Sequence, residues 1–265
     1  MKERIFTTFL REIATELGLK FFTNQDGWYS RLEDSLGKVV YTYGYNFPLN
    51  DAVVKLICLD KVVTSEVLEG NNIPNIKHFQ VFGNYKRKYV KRGTSYAEDV
   101  ENILKFIQFP IVVKPTNGTT GRDVFLCKDK KDLLEKLEVF LEKEDACLSE
   151  YVESEFEYRF YCLDGEVKVA YKKIKGESWK HNLSSGAKPE ILTQNEIEKF
   201  ENVCREVFRK INLRVGAIDF LCSKGEWKIL EINTGISMDH FSSFGEDYRE
   251  IAKNYHVEIL KKCFG

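Results

Sequence analysis

Gly216-Ala217-Ile218-Asp219-Phe220, followed after a short link by Trp227-Lys228-Ile229-Leu230-Glu231-Ile232-Asn233, is the stretch whose reading decides the fold. The two apolar runs flank Ser223-Lys224-Gly225-Glu226 and read as a buried antiparallel hairpin. Oxygen-bearing side chains nevertheless interrupt both runs. An unpaired charge in apolar surroundings costs on the order of several kcal/mol, so Asp219 and Glu231 require a cation, hydrogen bonds or an open cleft. Hard oxygen ligands at a cleft suit magnesium. Glu231 and Asn233, two apart, point to the same face of one strand, and Asp219 lies on the other, so the set has room for one divalent ion or two. Taken without their neighbours, the three residues read equally well as strand-end polar groups facing solvent.

Composition sets the frame around this hairpin. The chain has 265 residues, 43% of them hydrophobic and 13% aromatic, enough for a large core divided among two or three subdomains. Forty Lys plus Arg offset forty-one Asp plus Glu, leaving a formal charge of -1. That balance gives no bulk attraction to nucleic acid or to an anionic membrane, and any basic site has to be local. The seven cysteines, at 58, 127, 147, 162, 204, 222 and 263, form no CxxC pair and several fall in strand-like runs, as reduced buried residues do. Met1-Lys2-Glu3-Arg4 opens an amphipathic stretch, and no apolar run reaches membrane-spanning length. The expected location is therefore the cytoplasm.

Phe6, Phe9, Leu10, Ile13 and Leu17 recur at helical spacing, with Gly18 as a stop. Aromatic and β-branched segments over residues 20–46, broken by Asp26-Gly27 and Gly37, predict a small sheet, and together these form a short leading domain. A helix is expected over residues 59–68, beginning around Asp60-Lys61 and ending before Pro74, and another over residues 96–107. Strands are expected over 109–115 and 123–127, then a helix carrying Leu133, Leu134, Leu137, Phe140 and Leu141. Residues 146–152 and 158–163 read as strands, Asp164-Gly165 as a hairpin turn into 166–173, and 176–189 as loop. The last long helix is expected to carry Phe200, Val203, Cys204, Val207, Phe208 and Ile211. Between the first helices and the middle strands, Tyr85, Lys86, Arg87, Lys88, Tyr89, Lys91 and Arg92 form a basic, aromatic interval that reads as an exposed connecting loop or as a contact for a peptide or partner.

Three further features bear on chemistry. Lys114 ends a strand and is followed by the loop Thr116-Asn117-Gly118-Thr119-Thr120-Gly121-Arg122. Small flexible residues let backbone N–H groups approach phosphate oxygens, and the lysine adds a point charge. The order differs from a Walker A loop, because the lysine precedes the glycines and a strand follows them. Such a loop is a flap over a nucleotide, or a plain hairpin turn. Second, Glu150-Tyr151-Val152-Glu153 and Glu157-Tyr158-Arg159 are placed to offer backbone groups to an adenine edge and a carboxylate to ribose hydroxyls. A solvated acidic turn has the same composition. Third, Lys172, Lys173, Lys175 and Lys180 lead to Asn182; residues 173 and 175 share a strand face, and Lys180 and Asn182 meet in a loop suited to anionic substrates or simply to solvent.

The order of these features resembles that of the ATP-grasp superfamily. Asp60-Lys61, Val113-Lys114-Pro115 with Gly118 and Gly121, Glu150-Tyr151-Val152, Glu157-Tyr158-Arg159, Lys180-His181-Asn182, Asp219 and Glu231-Ile232-Asn233 stand in register over roughly residues 51–262. They look most like its RimK-like branch, with peptide glutamate ligases, bacterial glutathione synthetases and the ligase part of cyanophycin synthetase. The resemblance implies an α+β fold in which two α+β subdomains grip ATP. The expected division is a small N-terminal domain at 1–50, a central region with the flap at 51–149, and a subdomain with the metal site at 150–265.

Carried over by position, the resemblance implies that Lys61 and Lys114 bind ATP phosphates under a flap containing Gly118, Thr119, Thr120 and Gly121. Glu150, Tyr151, Val152 and Glu153 would hold adenine, with Glu157 on the ribose. Arg159, Lys180 and Asn182 would serve the reacting groups, and Asp219, Glu231 and Asn233 would hold two Mg2+ ions, Mn2+ being able to substitute. Two departures stand out. Lys172 and Lys180 occupy positions where arginine is commoner, and a lysine cannot grip a carboxylate bidentately. Asn233-Thr234-Gly235-Ile236-Ser237 lacks the proline usual after the metal-binding asparagine.

The implied activity is an ATP- and magnesium-dependent carboxylate–amine ligase working through an acyl phosphate on an amino acid or peptide. The alternatives are an ATP-grasp phosphotransferase that forms no amide and a nucleotide-binding regulatory protein without turnover. A homodimer is a family-level expectation.

Overall fold

Asp164 and Gly165 (φ 51° and 84°) and Lys224 and Gly225 (φ 52° and 82°) lie in the left-handed region that two-residue hairpin turns require. Each pair links two long strands. The computed structural model describes residues 4–90, 95–118 and 121–265. In chain order, α1 (Ile5–Glu16) leads into β1 (Lys20–Thr23), β2 (Tyr29–Glu33) and β3 (Val39–Tyr43), then α2 (Ala52–Leu59) and α3 (Lys61–Gly70). The middle comprises β4 (His78–Val81), α4 (Asn84–Val90), α5 (Tyr96–Ile103), β5 (Ile111–Pro115), β6 (Phe125–Cys127), α6 (Lys130–Phe140) and β7 (Ala146–Glu150). There follow β8 (Phe156–Leu163), β9 (Glu166–Ile174), a 3-10 turn (Leu183–Ser185), β10 (Lys188–Ile191) and α7 (Gln194–Ile211). The chain continues through β11 (Val215–Ser223), β12 (Glu226–Asn233), α8 (Asp239–Ser242) and α9 (Glu246–Phe264).

Contacts divide the chain into two compact units, residues 1–55, 156–219 and 232–265 in the first and 56–155 and 220–231 in the second. The first unit holds the sheet β1-β2-β3 and most of a five-stranded sheet in the order β10-β9-β8-β11-β12. The leading fifty residues do not have a core of their own. Phe6, Phe9, Leu10 and Ile13 of α1 share one cluster with Tyr161 and Tyr171 of the large sheet and with Ala252, Tyr255, Ile259 and Leu260 of α9. A twelve-residue helix and three short strands bury too little apolar surface by themselves, so the stripe finds its partner at the far end of the chain.

The second unit is built on the antiparallel sheet β4-β7-β5-β6. One of its faces packs Val81, Ile111, Val113, Ala146 and Leu148 against Val100 and Ile103 of α5 and Leu133 and Leu137 of α6. Ser95 and Glu98 cap α5 reciprocally, and Asp60 caps α3 by accepting from Val62 N at 2.9 Å and Val63 N at 3.1 Å. The start of β12 is held beside residues 74–76, Ile76 N donating to Ile229 O at 2.9 Å and Ile229 N to Pro74 O at 3.0 Å.

Several elements form where patterning does not announce them. The last long helix is α9, not α7; its buried stripe includes Tyr255 and His256, whose polar atoms bond Cys162 O at 2.9 Å and Ala252 O at 2.7 Å. α2 has apolar residues on its exposed side too, Val53 and Leu56 at 65% exposure, so no 3.6-residue period appears. The basic interval becomes α4, tied down by Arg87 on Asp99 and Lys86 on Asp145, both at 2.5 Å. Lys91 and Arg92 lie outside the described residues. β10 begins at the last two residues of the expected 176–189 loop and runs on to Ile191, pairing with β9.

Candidate active site

The candidate residues form two groups, one in each unit. In the first, strand alternation does the positioning. Glu157 and Arg159 lie on one face of β8, and the register sets Glu157 opposite Lys173 and Arg159 opposite Tyr171 on β9. The other face turns Tyr158 and Phe160 onto Phe200 of α7, ring centroids 5.4 and 4.9 Å apart. β11 flanks β8 on its other side and contributes Asp219, which has no exposed surface.

Arg159 grips Asp219 through two nitrogens, Nε donating to Oδ1 at 2.6 Å and Nη2 to Oδ2. Lys173 Nζ donates to Glu157 Oε1 and to Asp219 Oδ1, the latter at 3.3 Å. Asn233 Nδ2 stands 3.5 Å from Asp219 Oδ2. Two buried acids therefore face one buried base, Lys173, and one half-buried base, Arg159, two positive charges against two negative. Burial alone would push the Asp219 carboxyl up, but Arg159 and then Lys173 outweigh it and hold the group below its ordinary value. At Glu157 burial prevails over Lys173, so its carboxyl sits above the usual range. Gly216 supports this corner, since a Cβ there would come within 3.1 Å of the Asn233 carbonyl and 2.9 Å of Leu213 Cδ2. Only a bare Cα permits that approach.

Lys180 and Asn182 lie in the same unit, between β9 and β10. Lys180 N donates to Ser178 Oγ at 3.2 Å and its ammonium lies 5.8 Å from the Trp179 ring centroid. Asn182 caps the 3-10 turn, its carbonyl accepting from Ser185 N at 2.8 Å. Lys172 turns to the other face of β9, pairing with Glu190 at 2.7 Å beside the Phe156 ring. Lys173 is thus the member of the basic string that joins the acids.

In the second unit Lys61 is the first residue of α3. Its Nζ donates to Gly118 O at 2.7 Å and lies 4.0 Å from Glu231 Oε2, while its backbone N donates to Thr116 O at 3.1 Å. Lys114 is buried on β5, in register with Cys147 of β7. Thr119 and Thr120 of the flap lie outside the described residues, and Gly121 takes a left-handed φ of 70°. Glu150 ends β7 exposed; Tyr151 N donates to Pro110 O at 3.2 Å, Val152 is half-buried and Glu153 exposed. His78, buried on β4, is held well below the ordinary imidazole value by burial and by the charges of Lys114 and Lys61. Sequence reading passes over it, since its pairing with Ser149 on β7 appears only in the folded register.

A magnesium ion fits this donor chemistry. Within the first unit Asp219 offers a carboxylate held below its ordinary value and Asn233 an amide oxygen, both hard oxygen donors. Among the described residues no three His, Cys, Asp or Glu side chains gather into a ready cage.

The chain is an ATP-grasp protein. The model of the RimK-like ATP-grasp domain matches residues 83–253, more than half of the chain, and the chain belongs to that family. Among its relatives is a D-alanine–D-alanine ligase of Pelagibacter ubique, 25% identical over 246 residues, with 89% of this chain and 74% of that protein covered. The tetrahydromethanopterin:α-L-glutamate ligase of Methanocaldococcus jannaschii is 26% identical over 198 residues, covering 71% of this chain and 62% of its own. The α-aminoadipate–LysW ligase LysX of Saccharolobus solfataricus is 25% identical over 181 residues, covering 63% and 56%. The chain thus spans less than two thirds of the last two. Two solved structures share the fold. A bifunctional glutathione synthetase from Pasteurella multocida superposes with a TM-score of 0.59 at 14% identity, covering 91% of this chain and 41% of that one. A D-alanine–D-alanine ligase from Bacillus anthracis complexed with ATP gives 0.55 at 18% identity, covering 79% and 69%. Among the described residues no helix is long and apolar enough to cross a membrane.

Proposed function

We propose that this chain is an ATP- and magnesium-dependent carboxylate–amine ligase, forming an amide on an amino acid or peptide and releasing ADP and phosphate. The observation that carries the reading is Asp219: a carboxylate with no exposed surface, kept charged by Arg159 and Lys173, with the Asn233 amide beside it. A fold does not bury such a group for packing, since an apolar residue of similar size would serve better there. Membership of a family whose curated relatives include several ligases supports the same assignment.

In this reading Lys61 and Lys114 bind the phosphates, the loop from Gly118 to Gly121 covers them, residues 150–153 hold adenine and Glu157 takes the ribose. Asp219, Glu231 and Asn233 hold the magnesium, which when bound neutralises the crowded phosphate oxygens. A substrate carboxylate attacks the γ-phosphorus, the bond to the β-phosphate oxygen breaks, and ADP leaves. The amine then attacks the acyl carbon; phosphate departs with the C–O bond and the nitrogen loses a proton. Arg159, Lys180 and Asn182 stabilise the negative charge passed between these groups. No protein nucleophile takes part. Phosphorylation is needed because a bare carboxylate has no usable leaving group toward an amine at neutral pH.

The test is incubation with ATP, magnesium and pooled amino acids or short peptides, following ADP release and product mass together. Substrate-dependent ADP with an adduct that has lost water supports ligation. ADP with a phosphorylated product and no amide replaces ligation with phosphotransfer, and absence of nucleotide binding removes the reading altogether.

A further inference from the structure

Lys173 has no part in the chemistry just assigned, yet it is among the most deeply placed charges in the first unit, with 3% of its surface exposed. Its ammonium touches two acids at once, Glu157 and Asp219. Asp219 receives N–H donors on both oxygens: Arg159 Nε and Lys173 Nζ on Oδ1 at 2.6 and 3.3 Å, and Arg159 Nη2 with Asn233 Nδ2 on Oδ2. A divalent ion needs a carboxylate lone pair that no N–H occupies. One of these donors has to give way for Asp219 to become a ligand.

The chemistry of the two bases decides which. The guanidinium is a planar fork already matched to the carboxylate at two points, so releasing it breaks both bonds together. The ammonium is a compact charge on a flexible four-carbon stem, and its contact with Asp219 is the longer of its two. Its bond to Glu157, directly across the β8–β9 ladder, gives it a place to remain after leaving Asp219. Asn233 Nδ2 stands on Oδ2, at 3.5 Å, so its release by itself leaves Oδ1 still occupied by Arg159 and Lys173.

We propose that Lys173 is a resident counter-cation. It stands at Asp219 Oδ1 while the site has no metal, keeps the buried acids compensated, and withdraws onto Glu157 when a divalent ion binds. The inference rests on the reading of Asp219 as a metal ligand and adds to it a positioning residue that competes with the metal. Metal alone then binds weakly, because it must displace a protein charge, and an uncharged residue at 173 tightens that binding.

The experiment uses the full chain and Mn2+ as probe, without nucleotide, reading free Mn2+ by electron paramagnetic resonance. Lys173→Gln, which keeps a donor for Glu157, is expected to bind Mn2+ about tenfold more tightly than wild type, as the loss of a neighbouring like charge dictates. Lys173→Arg, charged and less able to withdraw, binds no more tightly than wild type. Lys172→Met, which removes an equal charge one residue away on the opposite face, leaves the affinity unchanged. Circular dichroism checks that each variant is folded. If Lys173→Gln does not fold, the wild-type Lys173 Nζ resonance is followed during a Mg2+ titration: movement supports the exchange and a fixed resonance overturns it. A folded Lys173→Gln with equal or weaker Mn2+ affinity overturns the proposal while Mn2+–ADP binding survives in both proteins. Absence of Mn2+ binding in both, with ADP present or absent, removes the reading of Asp219 and this inference with it.

Discussion

Arg159 and Asp219 meet side-on inside the five-stranded sheet, Nε to Oδ1 at 2.6 Å, with the carboxylate wholly buried. Such a pair is costly to break on one side, because Asp219 would keep only the longer contacts to Lys173 and Asn233, at 3.3 and 3.5 Å, in place of the two-point grip. Arg159→Met is therefore expected to lower the unfolding free energy by about 3–5 kcal/mol. The double variant Arg159→Met with Asp219→Leu should recover most of that loss, since no orphan charge remains. Urea denaturation of the four proteins of this cycle measures both quantities. A single-variant loss below about 1 kcal/mol would mean that water reaches Asp219 and that the pair is effectively exposed.

Gly216 and Asn233 define a second expectation. A Cβ at 216 would lie 3.1 Å from the Asn233 carbonyl oxygen and 2.9 Å from Leu213 Cδ2. The leucine methyl can rotate aside, but the carbonyl belongs to the β12 backbone and moves only with the strand. Gly216→Ala should cost about 1–3 kcal/mol by overpacking and should weaken Mg–nucleotide binding more than nucleotide binding without metal, because Asn233 is carried with the strand. Thermal unfolding and paired titrations with and without Mg2+ separate the two effects. Equal losses in the two titrations would show that Asn233 stays in place.

The large sheet shows how far patterning reaches. The Asp164-Gly165 and Lys224-Gly225 turns were legible because left-handed pairs favour Asp, Gly and similar residues, and the Asp219, Glu231 and Asn233 oxygens because they break apolar runs. Lys173 was visible only as one member of a basic string, without its partners. Counting back evenly from the Asp164-Gly165 turn would set Lys172, not Lys173, across from Glu157. A register shift between Tyr161 and Cys162 adds one residue to β9, so Lys173 takes that place and Lys172 turns to Glu190. Nothing in local composition marks the bulge. The shared core of α1 and α9 escaped for a different reason: its partners lie at opposite ends of the chain, and contacts at that separation leave no local period. In the second unit the start of α3 at Asp60-Lys61 and the glycines after Lys114 were legible because both act within a few residues, whereas Lys61 was singled out only by the family resemblance.

His78 supplies a dependence on pH. Burial first, and then Lys114 and Lys61, hold its imidazole well below the ordinary value, so the folded protein keeps it neutral. The unfolded chain binds a proton near pH 6.5 while the folded chain does not. The associated stability is complete above that pH and is lost as the pH falls below it. Wild type should therefore lose stability between about pH 7.5 and 5.5, and His78→Gln should lose less over the same interval. His256, also buried and lowered, contributes a slope that remains in the variant. Parallel slopes in the two proteins would mean that His78 is protonated within the fold.

Lys61 ties the flap to the phosphates in the proposed reaction. Its ammonium donates to Gly118 O at 2.7 Å and stands 4.0 Å from Glu231 Oε2, with 8% of the residue exposed. A charge-assisted bond of this kind is worth about 1.5–3 kcal/mol, which corresponds to roughly a 10- to 100-fold change in an equilibrium constant. Lys61→Met should weaken binding of a non-hydrolysable ATP analogue by that factor. It should also weaken AMP binding much less, because AMP lacks the distal phosphates. The helix keeps its cap in the variant, since Lys61 begins α3 and the cap is Asp60, and circular dichroism checks the fold. Calorimetric titration of both nucleotides against both proteins measures the contrast. Equal loss for AMP and the triphosphate analogue would place Lys61 in the fold of the loop at Gly118 rather than on the phosphates. Loss confined to the analogue assigns the ammonium to phosphate binding in the nucleotide-bound protein.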